Sequence, residues 1–343
     1  MIFKQLPTDF LHLFMLLTTN HLTIGYGTKA VQNDINVSVN SGALIALVGT
    51  NGAGKSTLLR TISALQPPLS GNIYINDTDI RNLTSQSKAK LLSVVLTDKI
   101  EIDNLTVRQL VSMGRFPYTN WLGSMTDADC EIVDKAIADV NLRHKASSYI
   151  NQISDGEKQR AVIARALAQD TPLIILDEPT AHLDLPNRIE TMLLLRRLSV
   201  TTKKTFILST HELEIALQTA DQIWLMTKGQ IQTGIPEDLM LNDSFQNAFA
   251  SANYSFDATD GHCIIHNLRG NAAVNITYSD GGYKRNVWLR RALMRTGISV
   301  SQQASTTIHC NEMGYQIIQN GSPATDTFTS IQSLLETLNT LSL

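Results

Sequence analysis

The sequence predicts an α/β fold: helices packed around a largely parallel sheet with an antiparallel β edge and a helical insert, followed by a small α+β domain. Three observations carry that expectation. Short, continuously apolar runs alternate with helical patterning through about the first 230 residues, as expected of strands buried on both faces. The strand signal vanishes between about residues 105 and 169. After residue 250 the composition shifts toward Asn, Ser, Asp and Gly before a second alternation begins.

Residues 1–19 read as a leader outside the fold, with Met15 as an alternative start. The apolar run at 10–17 is shorter than the roughly twenty residues that cross a hydrocarbon core. A signal peptide is disfavoured, because only Lys4 charges the head, Asp9 sits inside it, and Thr18, Thr19 and Asn20 make a poor small-residue cleavage site. Residues 21–24, 35–39 and 72–76 alternate apolar and polar positions, and Asn76, Asp77, Thr78 and Asp79 supply turn chemistry, so this region forms the antiparallel edge. The core strands are 43–48 (ALIALV), 94–96, 173–176 (LIIL) and 206–208.

Within the insert at 105–169, Thr126 with Asp129 three residues on starts a helix, and Ile132, Val133, Ala136, Ile137 and Val140 follow at helical spacing. A short helical stretch after Pro236 closes the first domain, residues 20–250. The accessory domain, 251–343, reads as strands at 262–266, 274–278, 306–310 and 315–318 with helices at 284–295 and 329–338.

A chain of 343 residues is long enough for two cores. It is 43% apolar and only 17% charged, against about 25% charged in ordinary globular chains, which excludes a disordered protein. Its 28 basic and 31 acidic residues leave a net charge of −3, so no overall positive field favours nucleic acid as a partner. The three cysteines, Cys130, Cys263 and Cys310, form no paired motif and fit a reducing compartment.

The chemistry concentrates where apolar strands end. Gly49, Thr50, Asn51, Gly52, Ala53, Gly54, Lys55, Ser56 and Thr57 follow the ALIALV strand and open a helix, the context a phosphate-binding loop requires. Glycines at 49, 52 and 54 let backbone N–H groups wrap a polyphosphate with no Cβ in the way. Lys55 then reaches the β- and γ-phosphates, and the Ser56 hydroxyl is a ligand for Mg²⁺. The LIIL strand ends in Asp177, which holds Mg²⁺ directly or through water, and Glu178, a carboxylate placed to orient or deprotonate water. These motifs sharpen the fold class to an α/β P-loop core, and the family they resemble makes it an α/β P-loop ATPase core.

On these residues the chain resembles the ATP-binding cassette ATPases over roughly residues 20–250. Ile153, Ser154, Asp155, Gly156 and Glu157 are similar to the family's signature, Leu-Ser-Gly-Gly-Gln, with acidic residues at two of its positions. Locally the same residues read as a capping box, Ser154 with Glu157, and both readings hold at a helix start whose free N–H groups face an anion. The resemblance implies that this anion is the γ-phosphate of ATP bound to a partner subunit. It also makes Asp184 the D-loop residue at the subunit contact, His211 the switch histidine at the γ-phosphate, and Tyr26 the aromatic that stacks on adenine. The glutamine expected after the strand at 94–96 is replaced by Thr97, a candidate for coupling only.

The stretch from Leu105 through Tyr118 resembles the branch that serves importers of iron-siderophore, haem and cobalamin complexes. Pro117 with Phe116, Tyr118 and Trp121 reads as a rigid exposed elbow near the permease-coupling surface. The resemblance implies ATP and Mg²⁺ as cofactors and a head-to-tail homodimer. It also implies separate integral-membrane permease subunits, an extracytoplasmic solute-binding protein and a place on the cytoplasmic face of the inner membrane. The alternatives are a soluble cassette ATPase, such as one serving iron–sulfur cluster assembly, and a nucleotide sensor without transport. His262, Cys263, His266, His309 and Cys310 invite a metal reading, but strand alternation sends His262 and His266 to one face and Cys263 to the other.

Overall fold

The computed structural model describes residues 15–96, 104–119, 123–249, 254–256, 263–265, 272–319 and 322–340. The chain divides into two compact units, Met1–Phe249 and Ala250–Leu343. The first half of unit one runs β1 (Met15–Tyr26), β2 (Lys29–Ile35), β3 (Ser38–Asn40), β4 (Leu44–Gly49), α1 (Lys55–Ile62), β5 (Ser70–Ile75), β6 (Thr78–Asp79), α2 (Ser85–Leu91) and β7 (Leu92–Val95). Next come α3 (Val107–Ser112), a 3₁₀ segment at Met113–Tyr118, α4 (Asp127–Asp139), α5 (Asp155–Ala168), β8 (Leu173–Leu176), α6 (Leu185–Thr202) and β9 (Thr205–Ser209). The unit closes with α7 (Leu213–Thr219), β10 (Gln222–Thr227), β11 (Gln230–Gly234), α8 (Pro236–Leu241) and α9 (Ser244–Phe249).

Two sheets result. The edge sheet has the order β2-β1-β5-β6, with β3 also on β1, and all its pairings are antiparallel. The core sheet has the order β11-β10-β4-β9-β8-β7, parallel except at the β10–β11 hairpin. Every residue of β4, β8 and β9 is buried, which is why these strands read as unbroken apolar runs. Leu58 and Ile62 of α1 pack with Leu17 and Ile24 of the edge sheet against one face. Leu110, Val133, Ile163 and Leu195 of α3 to α6 cover the other. Each such side chain contributes about 1.5–3 kcal/mol by leaving water.

The leader expected at 1–19 is corrected in part, since β1 already begins at Met15. Leu16 and Leu17 are buried, and the Thr19 hydroxyl donates to Ile35 O and accepts from Val37 N, both at 3.0 Å. A register irregularity between Met15 and Leu17 buries consecutive residues and so hides the period-two pattern. Residues 1–14 lie outside the described residues. The strand expected at 35–39 is interrupted, becoming the end of β2 and the start of β3. The β10–β11 hairpin escaped the pattern reading, although Ile223, Trp224, Leu225 and Met226 are all buried.

Unit two is built from β12 (Tyr254–Phe256), β13 (Cys263–Ile265), β14 (Ala273–Tyr278), α10 (Tyr283–Thr296), β15 (Ser299–Val300), β16 (Thr306–Cys310), β17 (Tyr315–Gln319), β18 (Ser322–Phe328) and α11 (Ile331–Thr340). Its five-stranded sheet has the order β15-β14-β16-β17-β18. Val274, Ile308 and Ile317 pack there with Leu289 and Leu293 of α10 and Leu334 and Leu338 of α11. His309 shares a hydrogen bond with Thr277 at 3.0 Å, while Cys310 next to it is buried in the core on the opposite strand face. Burial pushes the Cys310 thiol up to about 11, so it is a packed apolar group. His262 and His266 lie outside the described residues, and among those described no three side chains are grouped to hold a metal ion.

Candidate nucleotide site

The site forms where three adjacent parallel strands end. β9 lies between β4 and β8, with Leu47 opposite Ser209 and Leu176 opposite Leu208, so their carboxyl ends bring residues 49–57, 177–178 and 209–211 together. Gly49 leaves β4 with φ +152°, and a Cβ there would overlap the Met226 carbonyl of β10. Gly54 caps α1 at φ +107°, where a Cβ would lie 2.7 Å from Val31 Cγ1. The loop therefore has no room for side chains at two of its glycines.

Lys55 is buried and curls back over the loop, its Nζ donating to Gly49 O at 2.9 Å and Thr50 O at 3.3 Å. Burial pushes its ammonium below the ordinary value, and Glu178 and then Asp177 draw it partly back. Ser56 Oγ donates to Asp177 Oδ1 at 3.2 Å, and the same oxygen accepts from Ser209 Oγ at 2.6 Å. Ser209 also accepts from the Glu178 N–H at 2.9 Å, so one hydroxyl fixes both carboxylate residues. Glu178 sits in the left-handed region at φ 50°, an uncommon conformation for a side chain that size and one typical of functional turns. Its Oε1 is 2.9 Å from His211 Nε2. Tyr26, 56% exposed, meets Thr57 Oγ1 at 3.1 Å, which puts an accessible ring beside the first turn of α1.

Ser154, Gly156 and Asp184 form a second constellation. Ser154 caps α5: its Oγ accepts from Glu157 N at 3.3 Å while Glu157 Oε2 accepts from Ser154 N at 2.9 Å. These bonds, helped by Lys145, hold the Glu157 carboxyl below the usual range. Asp155 pairs with Lys158 at 3.1 Å. The acidic residues that depart from the consensus are thus turned onto the chain's own donors. Asp184 caps α6 through Asn187 N at 3.1 Å. Arg188 ties the turn before it to the segment after His211, donating to Leu183 O and to Glu212 Oε1, each at 2.6 Å.

Pattern reading passed over Ser209, Asn187 and Gln32. Ser209 ends an apolar strand, but its role follows only from β9 lying beside β8, one place beyond the Leu176–Leu208 pair. Gln32, buried on β2, donates to Ala53 O and Thr227 O and anchors the loop from behind, which no motif announces. Thr97 and Trp121 lie outside the described residues. At the elbow, Phe116 is 64% exposed, and the Tyr118 ring meets the Arg115 guanidinium at 4.0 Å and the Lys90 ammonium at 5.3 Å.

The ABC transporter family matches residues 32–181, and the iron ABC transporter C-terminal domain matches residues 278–339. An ABC transporter ATP-binding protein of Methanocaldococcus jannaschii is 36% identical over 74% of this chain and 87% of its own length. The chain belongs to the ABC transporter ATP-binding proteins. It is an ABC-type ATPase, and the nucleotide of its family is ATP. The iron(3+)-hydroxamate import ATP-binding protein FhuC of Bacillus subtilis is 34% identical over 76% of this chain and 94% of its own. The cobalamin import ATP-binding protein BtuD of Halobacterium salinarum is 32% identical over 84% and 73%. Among solved structures, cbiO1 from Clostridium perfringens, part of the ABC transporter complex cbiONQ, superposes with a TM-score of 0.61 at 25% identity, covering 68% of this chain and 94% of that one. Among the described residues, no helix is long and apolar enough to cross a membrane.

Proposed function

We propose that this chain is the ATP-hydrolysing subunit that energises import of an iron-siderophore or similar metal-chelate complex across the inner membrane. It works from the cytoplasmic face with separate permease subunits and an extracytoplasmic solute-binding protein. The observation that carries the engine is the convergence of Lys55, Ser56, Asp177, Glu178 and His211 at three neighbouring strand ends, with Ser209 locking the two carboxylate residues. The cargo reading is supported by the hydroxamate- and cobalamin-import relatives and by the iron-transporter match in unit two.

In this reading ATP lies along residues 49–57 with adenine on Tyr26, and the N–H groups at Gly49, Asn51, Gly52, Gly54 and Thr57 face its phosphates. Ser56 and Asp177 are oxygen donors that suit Mg²⁺, which when bound draws charge from the phosphate oxygens. Lys55 gives up its loop carbonyls for phosphate oxygens, and its buried, desolvated ammonium is a strong partner for that charge. Glu178 accepts a hydrogen bond from water, whose oxygen attacks the γ-phosphorus as the bond to the bridging oxygen breaks. ADP leaves with that electron pair, inorganic phosphate carries the water oxygen, and the proton the water sheds is taken up by Glu178 and passed to that phosphate. His211 holds the Glu178 carboxylate in line and reaches the γ-phosphate. Ser154, Gly156 and Asp184 of a second copy close the site head to tail, so each nucleotide is sandwiched between two chains.

Glu178→Gln is expected to bind Mg-ATP without turnover and to run as a dimer on size-exclusion chromatography with light scattering. A monomer under saturating Mg-ATP counts against the sandwich. Uptake of labelled iron hydroxamate, haem and cobalamin in a deletion strain complemented with this chain tests the cargo. Loss of none of the three on deletion removes the importer reading and favours a soluble cassette.

A further inference from the structure

The two elements assigned to the partner's nucleotide, the α5 start and the turn before α6, meet within one chain at the side chain of Asn187. Asn187 Nδ2 donates to Asp184 Oδ1 at 2.7 Å, and its backbone N–H donates to the same oxygen at 3.1 Å. The other end of that amide faces Gly156. A Cβ built on Gly156 would overlap Asn187 Oδ1 and lie 2.9 Å from its Cγ. The Gly156 Cβ direction therefore points at α6, so this glycine answers to Asn187 whatever ligand the α5 start meets. Asn187 is itself anchored, since its carbonyl accepts from Thr191 Oγ1 at 2.8 Å one turn along α6.

We propose that Asn187 is a positioning residue that sets the spacing between Asp184 and the Ser154–Gly156 turn, so that both engage the nucleotide held by a second copy of the chain at once. This rests on the head-to-tail reading above. Asn187 contacts neither phosphate nor water in that reading. It fixes the distance and angle between two groups that do, and small misplacements of such groups are costly. Asparagine suits the task because one end must donate to a carboxylate while the other lies flat against a glycine. Aspartate has the same shape but would set a second carboxylate against Asp184. Leucine keeps the volume and loses the donor.

The test uses the full-length chain carrying Glu178→Gln, alone and with Asn187→Leu or Asn187→Asp. The ATP concentration for half-maximal dimerisation is expected to rise about tenfold or more in both double variants, and kcat in the Glu178 background to fall by a similar factor. Binding of a fluorescent ATP analogue to the monomer and the melting temperature should stay unchanged, which a merely structural role for Asn187 would not allow. Equal dimerisation and equal kcat in the variants overturn the proposal while leaving the sandwich standing. A Glu178→Gln parent that never dimerises overturns the sandwich itself, and the proposal with it. Should Asn187→Leu fail to fold, Gly156→Ala against Gly156→Ala with Asn187→Ala decides: the double variant is expected to be the more active, and equal activities reject the contact.

Discussion

The two halves of the candidate site are built from opposite materials. The phosphate-loop half sits on strand ends: Lys55, Asp177 and Ser209 are buried, and the loop backbone is pressed against β10. The Ser154–Asp184 half sits on helix starts, where Ser154 and Asp184 are exposed and held by local caps. The first half is anchored in the core at Lys55, Asp177 and Ser209, while Glu178 and His211 reach out from it toward solvent. The second is an exposed surface whose polar groups are held by their own helix starts, the arrangement the proposed two-chain site would use. The acidic Asp155 and Glu157 fit this division, since their charge is satisfied locally.

The sharpest contrast is chemical. Lys55→Ala is expected to lower ATP turnover about a thousandfold, read by phosphate release, since it removes a desolvated charge at the phosphates. Within the loop, Gly49→Ala should destabilise unit one by about 3 kcal/mol or more because its Cβ meets the Met226 carbonyl. Gly52→Ala, with open space around it but φ +76°, should cost only about 1 kcal/mol. Thermal unfolding of the two variants would erase the distinction between pressed and free loop positions if their melting temperatures agreed.

The α5 half depends on a buried clamp. Arg115 Nε donates to Asp129 at 2.9 Å and its Nη1 to Ala168 O at 2.9 Å, joining α4 to the far end of α5. Asp129→Asn leaves that guanidinium without its counter-charge and should cost about 3 kcal/mol. Hydrogen bonds from Thr126 and then from Arg115 hold the Asp129 carboxyl down at about 2. Its folded value lies below its ordinary 3.8, so this stabilisation is complete above 3.8 and is lost as the pH falls through about 2. Denaturation of wild type and Asp129→Asn at pH 7 and near pH 2 should show the gap between them shrinking. The cap has an effect as small as that of Gly52→Ala: Ser154→Ala should cost about 1 kcal/mol in melting experiments, with ATP binding to the monomer unaffected.

Legibility in the sequence followed the same division. The strand-end half was readable because buried parallel strands are continuous apolar runs and their ends carry glycine, lysine or carboxylates that no core needs. The capping residues Thr126, Ser154 and Glu157 were readable because capping boxes are local. What stayed hidden depends on register or on contact between distant segments. β1 was obscured by a bulge, and Ser209 matters only because β9 lies beside β8. Asn187 means nothing until α6 lies against Gly156.

Mixing two defective chains tests the division of the site most directly. Lys55→Ala spoils only the phosphate-loop half, and Ser154→Arg spoils only the helix-start half, so neither chain alone should hydrolyse ATP. In a one-to-one mixture, half the dimers are mixed, and each mixed dimer keeps one intact site, so about a quarter of wild-type turnover should return. A mixture as inactive as its components would show that each site is completed within a single chain.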